Sequence, residues 1–162
     1  MSGWFASLSL RAALAGRQIG KDMKNFRHSL DISFRHCDPA GIVFYPRYFE
    51  MMNDVVEQFF RDAVGWPFSQ MHAKDRRGVP AVTAKLDFKS PGRLGDRIDW
   101  QLEVARLGRS SATLALTAHI GDCEVLCGET SLVHTDLDAM ASLAWRDEVR
   151  VVLQAHCRAE EE

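Results

Sequence analysis

Residues 36–49 read HCDPAGIVFYPRYF. An acid, Asp38, is followed by Pro39 and Gly41, residues that turn a chain, and then by an apolar run beginning near Phe44. Pro46 suits the first turn of a helix, where its missing amide hydrogen would have had no partner anyway. Tyr48, Met52, Val55 and Phe59 recur at helical spacing and Gly65 is placed to end the element, so the spacing predicts a helix over 46–64. A carboxylate held on a loop beside the partly positive, amide-rich start of a helix can do chemistry, because a carbonyl placed there is polarised and attacked together.

Upstream, FRHSLDISF at 26–34 alternates, with Phe26, Leu30, Ile32 and Phe34 on one face, the pattern of a half-buried strand. After Pro67 a short second helix or irregular segment is expected, ending near Gly78, with Lys74, Asp75, Arg76 and Arg77 on the surface. From Val79 the period becomes two. Val82, Ala84, Leu86 and Phe88 share a face, as do Ile98, Trp100, Leu102 and Val104, and again Ala112, Leu114, Leu116, Ala118 and Ile120. A further strand is expected over 124–135. The breaks SPGRLGD at 90–96, LGRS at 107–110 and GD at 121–122 are short, which favours antiparallel neighbours. Trp145, Val149, Val152 and His156 suggest a C-terminal helix, followed by a charged, frayed tail from Arg158 to Glu162.

These elements predict an α+β protein in which a curved, five-stranded, mainly antiparallel sheet wraps a long central helix. Phe44, Tyr45, Phe49, Met51 and Met52 leave the first half of that helix little solvated face, so it is expected to be enclosed. Residues 1–25 form an N-terminal extension, 26–140 the domain, and 141–162 the C-terminal helix and tail. The sheet edges need cover, and pairing between subunits supplies it, so at least a dimer is expected.

The bulk numbers narrow the function. With 162 residues, 46% of them hydrophobic, the chain suits one compact domain. A net charge of -2 gives no support to a nucleic-acid partner or an anionic membrane surface, and no apolar run reaches the ~20 residues of a membrane span. Cys37, Cys123, Cys127 and Cys157 form no CxxC pair, which points to a reducing, cytoplasmic setting. Cys123 and Cys127, on one strand, would lie ~13 Å apart, too far to share a zinc ion, so no metal site is expected. Residues before Asp22 include Arg11, Arg17 and Lys21 but no acid, which gives some transit-peptide character; an appendage outside the domain, with Met23 as an alternative start, explains them as well.

The run CDPAGIVFYPRYF, with the strand order from about Phe26 to Leu137, resembles the 4-hydroxybenzoyl-CoA thioesterase family of hot-dog-fold proteins. The resemblance implies hydrolysis of an acyl-CoA thioester to a free acid and CoA, with an aryl-acyl or short acyl group favoured. It needs no cofactor, coenzyme A being part of the substrate, and it implies a homodimer or homotetramer. It makes Asp38 catalytic and the backbone amide of Tyr45 the donor to the thioester oxygen, with Gly41 allowing close approach of the loop. It also makes Arg106, Arg109 and Ser110, at a turn between strands, candidates for the nucleotide phosphates, which guanidinium groups bind in pairs of hydrogen bonds.

Whether Asp38 attacks the carbonyl or activates a water stays open at this point. Alone, Asp before Pro is also an ordinary turn residue that bonds local amides. Tyr45 and Tyr48, as side chains, read as packing residues. His36 and Cys37 invite a Cys–His pair, but neighbours in an extended loop point apart. Lys74, Arg76, Arg77 and Arg93 read as solvated surface, while Asn53, Asp54 and Glu57 are polar on an apolar helix and face either a pocket, a subunit seam or solvent. Two other functions fit the same substrate class: a hot-dog dehydratase or hydratase, which would use a pocket histidine, and a non-catalytic acyl-CoA binding or sensing protein.

Overall fold

The computed structural model of the chain describes residues 25–158. The predicted extension up to residue 24 and the end of the charged tail lie outside the described residues. Strand β1 is Phe26–Asp31; a 3₁₀ turn, Phe34–His36, leads into the Asp38 loop; helix α1 is Pro46–Asp62; and α2 is Phe68–Ala73. Then come β2 (Arg77–Gly78), β3 (Ala81–Phe88), β4 (Arg97–Leu107), β5 (Ser111–Ile120), β6 (Cys123–Val133), β7 (Thr135–Asp136), β8 (Ala141–Ser142) and helix α3 (Asp147–Ala155).

The main sheet is five-stranded and antiparallel, in the order β1-β4-β5-β6-β3. Its alternation is what the sequence requires: Ile98, Trp100, Leu102 and Val104 of β4 and Ala112, Leu114, Leu116 and Ala118 of β5 are all buried. Against them α1 buries Tyr48, Met51, Met52, Val55, Val56, Phe59 and Phe60, a stripe of about one residue in two on the face toward the sheet. The fold class is therefore the expected one.

Five local expectations change. The short break at 90–96 does not join neighbours, since β3 pairs with β6 at the sheet edge while β4 lies between β1 and β5. Strand β1 stops at Asp31, because the Ser33 amide donates to His36 Nδ1 and the chain turns there; Phe34, expected inside, is 84% exposed. On β3 only Leu86 is buried, whereas Val82 is 60% exposed. The strand has a single neighbour, β6, and a register shift between Ala81 and Thr83 disturbs its alternation. The helix is not enclosed on all sides within one chain, since Tyr45 at its start and Asn53 and Asp54 on its outer flank are exposed. The strand expected over 124–135 is divided: β6 ends at Val133, and β7 belongs to a separate three-stranded sheet, β2-β7-β8.

At the far end of the sheet the C-terminal segment closes the core. His134 stacks on Trp145 with ring centres 5.2 Å apart and planes at 11°, and the edge of Trp66 meets the same imidazole. The Arg146 guanidinium lies 4.3 Å over the Trp66 ring and reaches Asp75, which also accepts the Trp66 indole N–H at 2.7 Å. Burying an aromatic body while satisfying its polar atom is the usual way tryptophan stabilises such a seam.

Candidate active site

Residues 36–44 fold back on themselves as a tight ribbon. The Asp38 amide donates to Ile42 C=O at 3.1 Å, Phe44 N–H to His36 C=O at 2.9 Å, and Gly41 N–H closes the turn onto Asp38 C=O at 2.9 Å. Gly41 has φ +76°, a left-handed conformation that side chains resist, and a Cβ there would meet no atom within 4 Å. The glycine is thus required by the turn, and the space beside it is open.

Asp38 is half-buried, and its Oδ1 accepts the Ala40 amide at 2.8 Å. The other carboxylate oxygen has no hydrogen-bond partner among the described residues. The side chain is therefore a turn residue through one oxygen and leaves the other without a partner among the described residues.

The start of α1 is similarly partitioned. Pro46 has no N–H, Arg47 N–H donates to Phe44 C=O at 2.9 Å, and Tyr48 N–H to Tyr45 C=O at 3.1 Å. Among the described residues the Tyr45 amide has no acceptor, which makes it an unspent donor at this end of the helix. It lies three residues past Ile42, the partner of Asp38 across the ribbon. The macrodipole of a 17-residue helix favours negative charge there. Around the amide, the Tyr45 ring meets Phe44 at 5.4 Å and Phe88 at 6.5 Å, and all three rings remain substantially exposed.

The other residues singled out from sequence lie elsewhere. Arg106, Arg109 and Ser110 sit at the β4–β5 turn, with both arginines exposed and the turn backbone tied to the C-terminal seam: Trp145 N–H donates to Arg109 C=O and His134 N–H to Ser110 C=O. The Asp38 ribbon joins the opposite end of β4, through Ile42 opposite Arg93 and Val43 N–H to Gly92 C=O at 2.9 Å. The length of β4 puts roughly 30 Å between these two places within one chain.

His36 is buried, with Nδ1 accepting the Ser33 amide and Nε2 lying 3.0 Å from Arg35 Nε. Burial first, then the Arg35 and Arg47 charges, holds its pKa below the ordinary 6.5. Both ring nitrogens thus lie against Ser33 and Arg35, and neither bonds Cys37. Arg76, read from sequence as solvated surface, is exposed and pairs with Asp138, while Arg77 is half-buried against Asp136. A cavity of about 760 Å³ lies on the outer flank of α1, lined by Arg35, Arg47, Glu50, Asn53 and Asp54 among others. Asn53 and Asp54 thus face a pocket, one of the settings open to them from sequence, whereas the part of Arg35, Arg47 and Glu50 in it was not read. No group of three or more potential metal ligands occurs among the described residues. No helix among them is long and apolar enough to cross a membrane.

Comparison with solved structures places this architecture. A gentisyl-coenzyme A thioesterase is 26% identical, with a TM-score of 0.73 over 79% of this chain and 99% of that one. A 1,4-dihydroxy-2-naphthoyl-CoA thioesterase from Synechocystis, at 15% identity, gives 0.74 over 80% of this chain and 96% of that one. A thioesterase-superfamily protein from Jannaschia sp. CCS1, at 22% identity, gives 0.77 over 83% and 94%. The last two show the shared hot-dog fold. No curated protein gives a significant match. The family model described as the thioesterase superfamily matches residues 40–127, from the turn beside Asp38 through the helix and into β6. That span covers more than half of the sequence and contains the helix start with its unspent amide: the chain belongs to the thioesterase superfamily.

Proposed function

We propose that the protein is an acyl-CoA thioesterase of the 4-hydroxybenzoyl-CoA type, hydrolysing an aryl-acyl or short acyl thioester to the acid and CoA. The observation that carries this reading is the succession, within eight residues, of an Asp38 oxygen without a partner on the ribbon and the unspent Tyr45 amide at the helix start that the ribbon leads into. In the reaction, negative charge develops on the thioester oxygen. The Tyr45 N–H and the helix behind it stabilise that charge, a donor of this kind contributing about 3 kcal/mol to the barrier.

Asp38 either attacks the carbonyl, with water releasing the acid from the resulting anhydride, or takes a proton from the water that attacks. Either way water adds across the thioester, and the proton ends on the departing CoA sulfur or the solvent. Gly41 keeps the turn open beside the reacting group. Support for an aryl-acyl preference comes from the exposed rings of Phe44, Tyr45 and Phe88 around the amide, and from the gentisyl-CoA thioesterase among the similar structures.

Arg106, Arg109 and Ser110 hold the nucleotide phosphates in this reading. Because they stand at the far end of β4 from Asp38, they serve the site of a second copy, in a cytoplasmic homodimer or homotetramer. No cofactor is needed. The test is thiol release from benzoyl-, phenylacetyl- and fatty acyl-CoA by wild-type protein and Asp38→Asn. Undiminished hydrolysis by the variant removes Asp38 from the mechanism, and tight binding without turnover of any ester replaces the enzyme with an acyl-CoA sensor.

A further inference from the structure

The Asp38 ribbon bonds to itself and to its chain neighbours, the 3₁₀ turn before it and the helix start after it. Its backbone hydrogen bond to a segment distant in sequence is made at the turn between β3 and β4, where Gly92 C=O accepts Val43 N–H at 2.9 Å. Gly92 is itself held from the other side: its N–H donates to the phenolic oxygen of Tyr48 at 2.9 Å. One residue thus joins the ribbon, two residues before Tyr45, to the first turn of the helix that Tyr45 opens.

This contact is built into the core. Tyr48 is 3% exposed, and its ring packs on Phe88 at 5.4 Å. A Cβ on Gly92 would lie 2.6 Å from Ile32 Cδ1 and 3.0 Å from the Tyr48 oxygen, so only glycine lets the hydroxyl come so close. Without that oxygen the Gly92 N–H would be a buried donor with no acceptor. Burial pushes the Tyr48 phenol above its ordinary 10.0, so it stays protonated across the working range.

We propose that Tyr48 is a positioning residue: through Gly92 its hydroxyl fixes the ribbon carrying Asp38 against the helix start carrying the Tyr45 amide. This rests on the thioesterase reading for its effect on turnover. Tyr48 touches no reacting atom. Its oxygen sets the relative placement of attacking group and oxyanion donor, and displacements of about 1 Å between such groups cost up to a hundredfold in rate.

The test compares wild type, Tyr48→Phe and Gly92→Ala in steady-state hydrolysis of an acyl-CoA ester and in amide hydrogen exchange. Tyr48→Phe is expected to lower kcat about ten- to a hundredfold with KM changed less than about threefold, and to speed exchange at the Val43 amide while β5 amides keep their protection. In an Asp38→Asn background the same change should cost little more, as expected of residues acting as one unit. Gly92→Ala, which crowds the same contact from the other side, should reproduce the pattern, and it replaces Tyr48→Phe should that variant not fold. Unchanged kcat alongside a lower melting temperature reduces Tyr48 to a stability role and overturns the proposal. Slower turnover with unchanged Val43 exchange also overturns it, by assigning the oxygen a direct part in the reaction. Wild-type protein that releases no thiol defeats the thioesterase reading instead, and the Val43 exchange comparison then decides the clamp alone.

Discussion

The Oδ1 of Asp38 accepts the amide of Ala40 at 2.8 Å, so a side chain proposed for chemistry also holds its own turn. An asparagine keeps a carbonyl oxygen for that bond but removes the charge and the basicity. Asp38→Asn is therefore expected to melt within a few degrees of wild type while kcat falls at least about a hundredfold. Asp38→Ala, losing both, should also be less stable by about 1 kcal/mol. Thermal denaturation beside thiol-release kinetics separates the two roles.

Gly41 occupies a left-handed conformation, φ +76°, with open space around it. Gly41→Ala meets no clash, and its cost is conformational, about 1–2 kcal/mol. If the protein retains the wild-type turn, the melting temperature should drop by several degrees; if the turn relaxes instead, stability is kept and kcat falls. Equal stability and equal kcat would show that the turn tolerates a side chain.

Gly128 on β6 lies opposite Leu86 of β3 and Leu116 of β5. A Cβ there would stand 2.1 Å from the Lys85 carbonyl oxygen and 2.9 Å from Leu86 Cα, backbone atoms that cannot move without shifting β3. Gly128→Ala is expected to cost about 3 kcal/mol or to detach the edge strand, read from urea denaturation and exchange of β3 amides.

His134 supplies a pH dependence. Its Nδ1 faces the Ala144 carbonyl at 2.9 Å, while Nε2 is buried with no partner. Burial is the main cause holding its pKa below 6.5; Arg146 and Arg77 add to this, while bonding to the backbone of Ala144 and Leu143 opposes it. Below about pH 6.5 the unfolded chain takes up a proton that the folded one refuses. The stabilisation is thus complete above that pH and declines as pH falls toward the lower folded value. His36 titrates in the same sense, from burial and then Arg35 and Arg47, against Glu50 and Asp54. His134→Phe, keeping a ring on Trp145, should flatten the fall in stability below about pH 6.5 without abolishing it. An unaltered slope would remove His134 as a source.

Much of the fold was legible because its signals are local. Pro46 and the spacing Tyr48, Met52, Val55 and Phe59 mark α1, and strict alternation marks β4 and β5. Local signals also misled: alternation continues through Phe34 although the bond between Ser33 and His36 has already turned the chain. On β3 the alternation promised burial to Val82 and Ala84 that an edge strand with one partner does not provide. At the site, Asp38, Gly41 and Tyr45 could be read together since they are neighbours in the chain. The Tyr48 hydroxyl could not, because apolar spacing describes its ring alone and its partner, Gly92, lies in a segment that reads as an ordinary turn. The stack of His134 on Trp145 is hidden for the same reason.

If Arg109 of a second copy binds the nucleotide, Arg109→Ala should raise KM for CoA esters about tenfold and leave thioesters lacking the nucleotide unaffected. An equal effect on both substrate types would place Arg109 away from the phosphates.

The strand order carries one more consequence. Strands β4, β5 and β6 follow one another as hairpins, but β1 must reach across the whole helix to lie on β4, with Phe26 opposite Leu102. Pairings so distant along the chain close slowly, after nearby ones have set a template. The Asp38 ribbon, strung between β1 and α1 and anchored at Gly92, is thereby secured among the last events of folding. In a refolding experiment, recovery of turnover should lag behind formation of the hairpins, so that enzymatic competence reports the final docking step and not collapse.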